Sequence, residues 1–218
     1  MMRNSMIRNS LLAIAALLAA PALAAVPGTV ATFDSGPDDF VGSTISTVQI
    51  HLGDDGNPGG HLVIRKITDP GFDIGTQNSV WPEFLGDYAA AGVTGAGVDL
   101  NVFLDLDEAM LRFRRDVFEN GWNYDFGAIA ANPGVWVSYD VLFNPAWDDA
   151  TALANGWAQE AGAPSFAALM ASVGWLEVRV GNEGSAIVGV DNVRLIPEPA
   201  TLGLLAVGAV ALIRRRVA

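Results

Sequence analysis

Alternation between apolar and polar residues recurs in short segments of this 218-residue chain. In residues 98–106, VDLNVFLDL, the apolar Val98, Leu100 and Val102 alternate with acidic, amide or aromatic residues. Because successive side chains of a β-strand point to opposite faces, this segment is predicted to turn an apolar face inward and a mostly acidic face outward. The other predicted strands are 46–52, 61–67, 111–118, 135–143, 175–180 and 187–196.

Residues 164–173 have helical spacing instead. Phe166, Leu169 and Met170 follow the i, i+3, i+4 pattern of an amphipathic helix. Pro164 suits the first helical turn because it has no N–H group to satisfy. Many short strands separated by Gly, Pro, Asn and Asp clusters, with one short helix, predict an all-β fold, an antiparallel jelly-roll β-sandwich.

The N-terminal end is apolar without any alternation. Residues 11–20, LLAIAALLAA, follow basic residues and precede a small-residue pattern formed by Ala22 and Ala24. A basic region, a short apolar region and an Ala-x-Ala site predict a signal peptide over residues 1–24, with cleavage between Ala24 and Ala25. The alternative is an ordinary N-terminal helix. Export through the Sec translocon is the expectation.

The middle of the chain is strongly acidic once both ends are set aside. Residues 25–197 hold 7 basic and 23 acidic residues, a formal charge of −16. Such a surface repels phosphate backbones, so nucleic acid is not an expected partner. The chain has no cysteine. A segment of roughly 170 residues can bury one hydrophobic core without disulfides.

Three features follow one another at the C-terminal end. They are Pro197, Glu198 and Pro199, the apolar residues 200–213, and Arg214, Arg215 and Arg216. Together they resemble the PEP-CTERM sorting signal of Gram-negative bacteria, which implies processing by an exosortase at the membrane. An apolar helix of this length rises only about 21 Å, short of a roughly 30 Å hydrocarbon core. It is predicted to be a transient membrane anchor with cytoplasmic arginines; the alternative is a buried core helix.

The middle of the chain resembles a second family. Residues 56–62, GNPGGHL, resemble a turn of laminin B (laminin IV type A) jelly rolls and their bacterial relatives. Residues 81–88, WPEFLGDY, resemble the segment that follows this turn in the family, and 190–195, VDNVRL, resemble its final strand. The resemblance implies an extracellular, carbohydrate- or matrix-associated binding domain over 25–196, without catalysis, followed by the sorting signal over 197–218. The long segment 66–80 departs from that family and leaves the strand order there open.

Groups with catalytic potential form no recognisable set. The sequence has neither a cysteine nucleophile nor a Gly-x-Ser-x-Gly elbow. Among 23 acidic residues in the middle segment, some pair of carboxylates will have the separation that glycoside hydrolysis needs by chance alone. Such a pair is therefore not evidence of catalysis, and we predict no catalytic residues. The alternative is a secreted enzyme of the glycoside hydrolase kind that acts on a polysaccharide matrix.

A structural calcium ion is one candidate cofactor. Asp34 and Asp191 lie near the first and last strands, where several jelly-roll sugar-binding modules hold Ca²⁺. The alternation in 187–196 changes phase at Asp191, which predicts a β-bulge that turns carbonyl groups outward. The alternative is that both aspartates only make turn hydrogen bonds. His51 and His61 flank a turn-rich loop. They could bind a metal ion together, or, more simply, both could be strand residues that face solvent.

Two tryptophans are candidates for contact with sugar. Trp136 and Trp175 fall on the outward phase of their predicted strands, where an aromatic ring can pack on sugar C–H groups. The alternative is that each is buried by a covering element. The sequence as a whole predicts an exported protein with a binding or structural role in an exopolysaccharide or biofilm matrix; a surface protein without a defined ligand is a further alternative.

Overall fold

Two antiparallel sheets form the fold. The computed structural model describes residues 25–66, 73–181 and 184–199. The strands are β1 (Val30–Ala31), β2 (Val41–Gly42), β3 (Thr47–Leu52), β4 (His61–Lys66), β5 (Ile74–Asn78), β6 (Val93–Val102), β7 (Glu108–Arg114), β8 (Trp122–Asp125), β9 (Val137–Leu142), β10 (Trp157–Gln159), β11 (Trp175–Gly181) and β12 (Ile187–Pro197).

The strand order defines the two layers. Sheet A has the order β3-β4-β12-β6-β9, with β1 paired to the second half of β12. Sheet B has the order β10-β8-β7-β11-β5-β2. Sequence neighbours are therefore often in different sheets, as in a jelly roll, and the predicted all-β sandwich is confirmed.

Helices occupy the connections. They are α1 (Tyr88–Ala91), α2 (Asp149–Ala154), α3 (Phe166–Met170) and a 3-10 helix (Pro82–Phe84). The single predicted helix is present as α3. It begins at Phe166, and Ser165 is its N-cap, so Pro164 lies just before the helix and not in its first turn. The prediction of only one helix was wrong. Single turns such as α1, which Asp87 caps, are too short to produce a helical periodicity.

The core lies between the inner faces of the sheets. On β11, Leu176, Val178 and Val180 are buried on the inner face. An aromatic cluster closes one end of the sandwich, where Phe166 of α3 packs on Trp122 and Trp157 with ring centroids 5.3 and 5.1 Å apart. This cluster joins the helix to two strands of sheet B.

The polar face of β6 is buried, contrary to the sequence prediction. Asp99 and Asn101 are almost inaccessible, because β6 is internal to sheet A and the loop before β4 covers its outer face. The strand also begins at Val93 and ends at Val102, so residues 103–106 do not belong to it. The predicted strand 135–143 likewise shortens. Val137 lies opposite the buried Leu100 and so has the inward phase, but both it and Val135 remain exposed.

The bulge in the last strand is confirmed. The pairing of β12 with β6 shifts register between Asp191 and Arg194. Asn192 has a φ of 47°, a left-handed conformation that an amide side chain tolerates better than most. The bulge turns the side chains around it toward the outer face of sheet A.

The two ends of the chain are only partly described. The predicted signal peptide with Ala22 and Ala24, the apolar run 200–213 and the following arginines lie outside the described residues. Within the described part, no helix is long and apolar enough to cross a membrane. Pro197 ends β12 opposite Val93, and Glu198 N donates to Gly92 O. The Pro-Glu-Pro residues therefore begin at the end of an internal strand of sheet A.

Candidate functional site

The outer face of sheet B carries a row of charged and aromatic side chains. On β7 and β11 the inner positions are apolar, so alternation places Arg112 and Arg114 together with Trp175, Glu177 and Arg179 on the outer face. Antiparallel pairing sets Arg112 opposite Glu177 and Arg114 opposite Trp175. The two strands therefore build one continuous polar surface.

A cleft of about 260 Å³ lies on this surface. Ser43 and Thr44, which follow β2, and Asp73, which precedes β5, form one wall. Gly75 lies opposite Arg179 in the sheet, and an added Cβ there would lie 2.7 Å from Ser43 Oγ and 3.0 Å from Glu177 Oε1. A larger residue at position 75 would therefore collide with two residues that line the cleft.

Ion pairs hold two of the three arginines in the cleft. Arg112 binds Glu177, with Nη1 3.3 Å from Oε2, and its Nη2 also pairs with Glu160. Arg179 pairs with Asp73. Burial lowers the pKa of Arg179 from its ordinary value.

Arg114 has no carboxylate partner among the ion pairs of the described residues. Its Nη1 donates to Val117 O at 3.4 Å, and its guanidinium lies over the Trp175 ring, 5.8 Å from the centroid. Burial lowers the pKa of Arg114, and the charge of Arg112 lowers it further. Arg114 is thus a desolvated cation held mainly by an aromatic ring.

Polar atoms without a protein partner concentrate on this face. Across residues 25–66, 73–181 and 184–199, the buried side-chain atoms that lack a hydrogen-bond partner are Ser43 Oγ, Gln77 Oε1, Arg112 Nε, Arg114 Nε, Trp157 Nε1, Trp175 Nε1 and Arg179 Nε. All except Trp157 Nε1 belong to the outer face of sheet B. A buried polar atom left unpaired costs about 1–3 kcal/mol, so these atoms need partners, either water or a ligand, that the described side chains do not provide.

The outer face of sheet A is arranged differently. Trp136 donates from Nε1 to Asp55 O at 3.1 Å and packs edge-on against His61, with centroids 5.3 Å apart. Its ring also covers Gly189, where an added Cβ would lie 2.9 Å from the indole. Trp136 therefore fixes the loop before β4 onto the sheet, and it does not face an open surface.

The two histidines point to opposite faces of sheet A. In the β3–β4 pairing His51 lies opposite Leu62, and His61 lies opposite Leu52. His61 is only 3% exposed. Burial lowers its pKa from the ordinary value, although the hydrogen bond to Asp54 O works in the other direction. The prediction of two solvent-facing histidines was wrong for His61.

The two predicted calcium ligands lie near one another. Burial raises the pKa of Asp191 to about 6, and the charges of Asp99 and Asp34 add to the rise. Both oxygens of Asp191 accept backbone N–H groups, from Asn57 at 2.6 Å and from Asn192 at 2.7 Å. In the described ranges no three carboxylate or imidazole groups converge on a metal position. As they stand, these donors do not form a calcium cage, and calcium remains a prediction that requires the Asp191 hydrogen bonds to open.

Calcium binding has a simple thermal test. If an ion joins Asp34 and Asp191, adding Ca²⁺ at neutral pH should raise the melting temperature, because a ligand that binds only the folded state stabilises it. A chelator should lower the melting temperature again. Scanning calorimetry measures both effects, with Mg²⁺ as the control ion. An unchanged melting temperature in both conditions would contradict calcium binding.

Only one residue of the cleft was predicted from the sequence as a candidate for ligand contact. Trp175 lines the cleft, as the alternation suggested, whereas the arginines and Ser43 were not selected. Their outward phase was readable in 111–118 and 175–180. What the sequence did not show is that β7 and β11 are hydrogen-bonded neighbours, which brings the two rows together.

Two antiparallel sheets in this order form a jelly-roll β-sandwich, a fold that the chain shares with carbohydrate-binding modules of known structure. The structure is similar to the family 11 carbohydrate-binding module from Clostridium thermocellum in complex with a β-1,3-1,4-mixed-linked tetrasaccharide, with 12% identity over 80% of this chain and 98% of that chain and a TM-score of 0.54. It is also similar to an exo-β-agarase, with 13% identity, a TM-score of 0.56 and coverage of 79% of this chain but 26% of the agarase.

A third similar structure contains a module together with an enzyme. It is a family 22 module joined to the catalytic module of a Clostridium thermocellum xylanase, complexed with xylohexaose, with 11% identity, a TM-score of 0.50 and coverage of 79% of this chain and 28% of that chain. At these identities the likeness shows the fold. No curated protein sequence matches the chain. The laminin B resemblance stays a prediction, because the similar structures described here are of other kinds.

The C-terminal signal is confirmed. The PEP-CTERM protein-sorting motif matches residues 195–217, which include Pro197, Glu198 and Pro199 as well as Arg214, Arg215 and Arg216. The motif implies processing by an exosortase and an exported, membrane-anchored precursor that is sorted to the cell surface.

Proposed function

We propose that this chain is an exported, non-catalytic polysaccharide-binding protein whose binding site is the cleft on the outer face of sheet B. The observation that carries the proposal is the group of buried, unpaired polar atoms around Trp175. Aromatic rings pack on the C–H faces of sugars, and nearby polar side chains bond to the hydroxyl groups. The tetrasaccharide and the xylohexaose bound in two of the similar structures support a glycan ligand for this fold.

Binding requires side chains to move within the cleft. The unpaired atoms have almost no accessible surface, and Trp175 is only 6% exposed, partly because Arg114 lies over its ring. The cleft volume of about 260 Å³ is just below the usual range for ligand pockets, roughly 300–1,000 Å³. We therefore propose that one or two sugar residues of a longer chain enter the cleft while the arginine side chains rotate toward them.

The rival function is hydrolysis of a matrix polysaccharide. Hydrolysis requires a protonated acid and a second carboxylate on either side of the glycosidic bond. Here Glu160 and Glu177 both bind Arg112, so the guanidinium occupies the space between them. This arrangement supports a binding role. Release of reducing ends from a polysaccharide, abolished by Glu177→Gln, would establish the enzyme instead.

The sorting motif supports a binding role at the cell surface. An exosortase substrate with an acidic middle domain, exported through the Sec translocon, would meet the exopolysaccharide of its own cell. We propose that it takes part in that exopolysaccharide or biofilm matrix. Pull-down with the exopolysaccharide of the native host tests this role, and a surface protein without a ligand would retain none of it.

Removing the ring should remove most of the binding. Trp175→Ala is expected to weaken polysaccharide affinity by about tenfold or more, because buried aromatic residues carry much of the energy of a binding site. Affinity electrophoresis against a panel of soluble polysaccharides measures the change. Trp136→Ala is the matched control, because Trp136 fixes a loop on the other sheet and should change stability but not affinity. Equal affinity of Trp175→Ala and wild type would exclude the cleft.

A further inference from the structure

We infer that the polysaccharide bound in this cleft is anionic, with carboxylate or sulfate groups, and that Arg114 is the residue that pairs with them. The inference rests on the proposed function and specifies the ligand of the same cleft. It is carried by the charge of the cleft, by the unpaired state of Arg114 and by the balance of donors over acceptors.

The cleft differs in charge from the rest of the domain. Residues 25–197 carry 23 acidic and 7 basic residues. Three of those basic residues, Arg112, Arg114 and Arg179, line this one cleft, where the acidic residues are Asp73 and Glu177. Even when Glu160, which pairs with Arg112, is included, the charges of the described residues around the cleft balance to zero. An anionic chain would be repelled by most of this surface and would meet no net repulsion in the cleft.

Among the cleft residues that the structure describes, Arg114 is the arginine that no carboxylate pairs with. Arg112 and Arg179 are each paired with carboxylates, whereas Arg114 makes one long bond to a backbone carbonyl and lies over Trp175. A guanidinium bonds carboxylate or sulfate oxygens through two N–H groups at once. Such a pair would return to Arg114 the charge compensation that the protein does not provide.

The unpaired atoms of the cleft are mostly donors. The Nε groups of the three arginines and Nε1 of Trp175 can only donate a hydrogen bond, Ser43 Oγ can do either, and Gln77 Oε1 can only accept. A neutral glycan has hydroxyl groups that donate as well as accept, so it would match a balanced set. A carboxylate or sulfate group has only acceptor oxygens and matches this excess of donors.

The position of Arg114 over the ring couples the two parts of the site. In the structure the guanidinium covers Trp175, which leaves little of the ring accessible. An anionic group on the ligand would draw Arg114 off the ring and expose the surface on which the sugar packs. A neutral glycan would have to displace the guanidinium without that compensation, and it should therefore bind more weakly.

The test compares two adjacent arginines in the full chain. Arg114→Gln removes the proposed ligand-binding cation, and Arg115→Gln removes an exposed cation that pairs only with Glu119 outside the cleft. Both variants change the net charge equally. The probes are oligogalacturonate for carboxylate, dextran sulfate for sulfate and mixed-linked β-glucan as the neutral glycan, with affinities measured by calorimetry at low and high salt. Circular dichroism and the melting temperature verify folding.

Wild type should bind one anionic probe about tenfold more tightly than the neutral glucan, and less tightly as salt increases. Arg114→Gln should lose about tenfold on that probe and bind the neutral glucan as tightly as wild type or more tightly, because the ring of Trp175 is no longer covered, while Arg115→Gln changes neither by more than about twofold. Arg114→Lys, which keeps the charge but not the paired N–H geometry, should fall between them. The probe that responds identifies carboxylate or sulfate as the recognised group.

Three results would overturn the inference in distinguishable ways. Equal or tighter binding of the neutral glucan, still lost in Trp175→Ala, would leave the proposed function standing and refute the anionic ligand. Equal losses in Arg114→Gln and Arg115→Gln would show attraction by overall charge without a specific pair. Failure of the wild-type chain to bind any probe, or binding that Trp175→Ala leaves unchanged, would refute the cleft itself.

Discussion

Phe166→Ala is expected to lower the free energy of unfolding by about 3–5 kcal/mol, the usual cost of deleting a buried phenyl ring. Phe166 is fully buried, and together with Leu169 and Met170 it forms the face of α3 that enters the core. Its ring packs on Trp122, Trp157 and Phe143, with centroids 5.3, 5.1 and 6.2 Å away. These neighbours belong to separate elements and cannot all move to fill the cavity, so the upper part of the range is expected.

Denaturant unfolding followed by tryptophan fluorescence measures this loss. Phe118→Ala is the matched control, because the same atoms are removed from a side chain that is 93% exposed. The control should stay within about 0.5 kcal/mol of wild type. A loss in Phe166→Ala no larger than that of Phe118→Ala would show that α3 does not contribute to the core.

The fold could be predicted from the sequence where one face of a strand is apolar and the other is polar. This holds for 175–180 and for the phase change at Asp191, both of which the structure confirms. It fails for β5, which reads IGTQN and is buried on both sides. Its Thr and Asn side chains make hydrogen bonds to other loops and strands, which allows them to be buried although they are polar. The buried strand therefore has no alternation of apolar and polar residues that the sequence could reveal.

The cleft was less predictable than the fold for a physical reason. Each outward residue of β7 and β11 could be assigned from its own strand, but a site depends on which strands are neighbours. That pairing is set by long-range packing, which a local pattern does not record. Asp99 shows the same limit, because its outward phase was correctly assigned while its burial depended on the loop that covers it.

Arg194→Met is expected to lower the free energy of unfolding by about 3 kcal/mol at pH 7, because it leaves Asp99 charged and buried without its counter-ion. Arg194 Nη1 lies 2.7 Å from Asp99 Oδ1 and Nη2 lies 2.6 Å from Asp140 Oδ1. The side chain reaches both because Arg194, Gly97 and Asp140 lie side by side on three adjacent strands. An added Cβ on Gly97 would lie within 2.9 Å of the Arg194 Nε, so the glycine leaves the space for this ion pair.

The pH dependence separates this mechanism from a loss of packing. Burial pulls the pKa of Asp99 upward, but hydrogen bonds from Ser138, Arg194 and Asn192 outweigh it and hold the pKa below its ordinary value. In wild type, the Asp99 carboxylate therefore stabilises the fold at any pH above the pKa that Asp99 has in the unfolded chain. This contribution is lost as the pH falls through the lower pKa that Asp99 has in the folded protein. Without Arg194 the pKa of Asp99 should rise, so the difference from wild type is largest near neutral pH and shrinks toward acid as Asp99 becomes protonated.

Urea unfolding at pH 7 and at about pH 4 measures both parts of this prediction. Arg115→Met is the matched control, because Arg115 pairs with Glu119 on the surface, where the two side chains are 43% and 40% exposed. Exposed pairs contribute only about 0–1 kcal/mol, so the control should change little at either pH. If the Arg194→Met deficit were as small as that of Arg115→Met, or grew toward acid, the buried charge would not be what Arg194 stabilises. The neutral donors around Asp99 would then be sufficient to hold its carboxylate, among them Ser138 Oγ at 2.7 Å from Oδ1 and Asn192 Nδ2 at 2.9 Å from Oδ2.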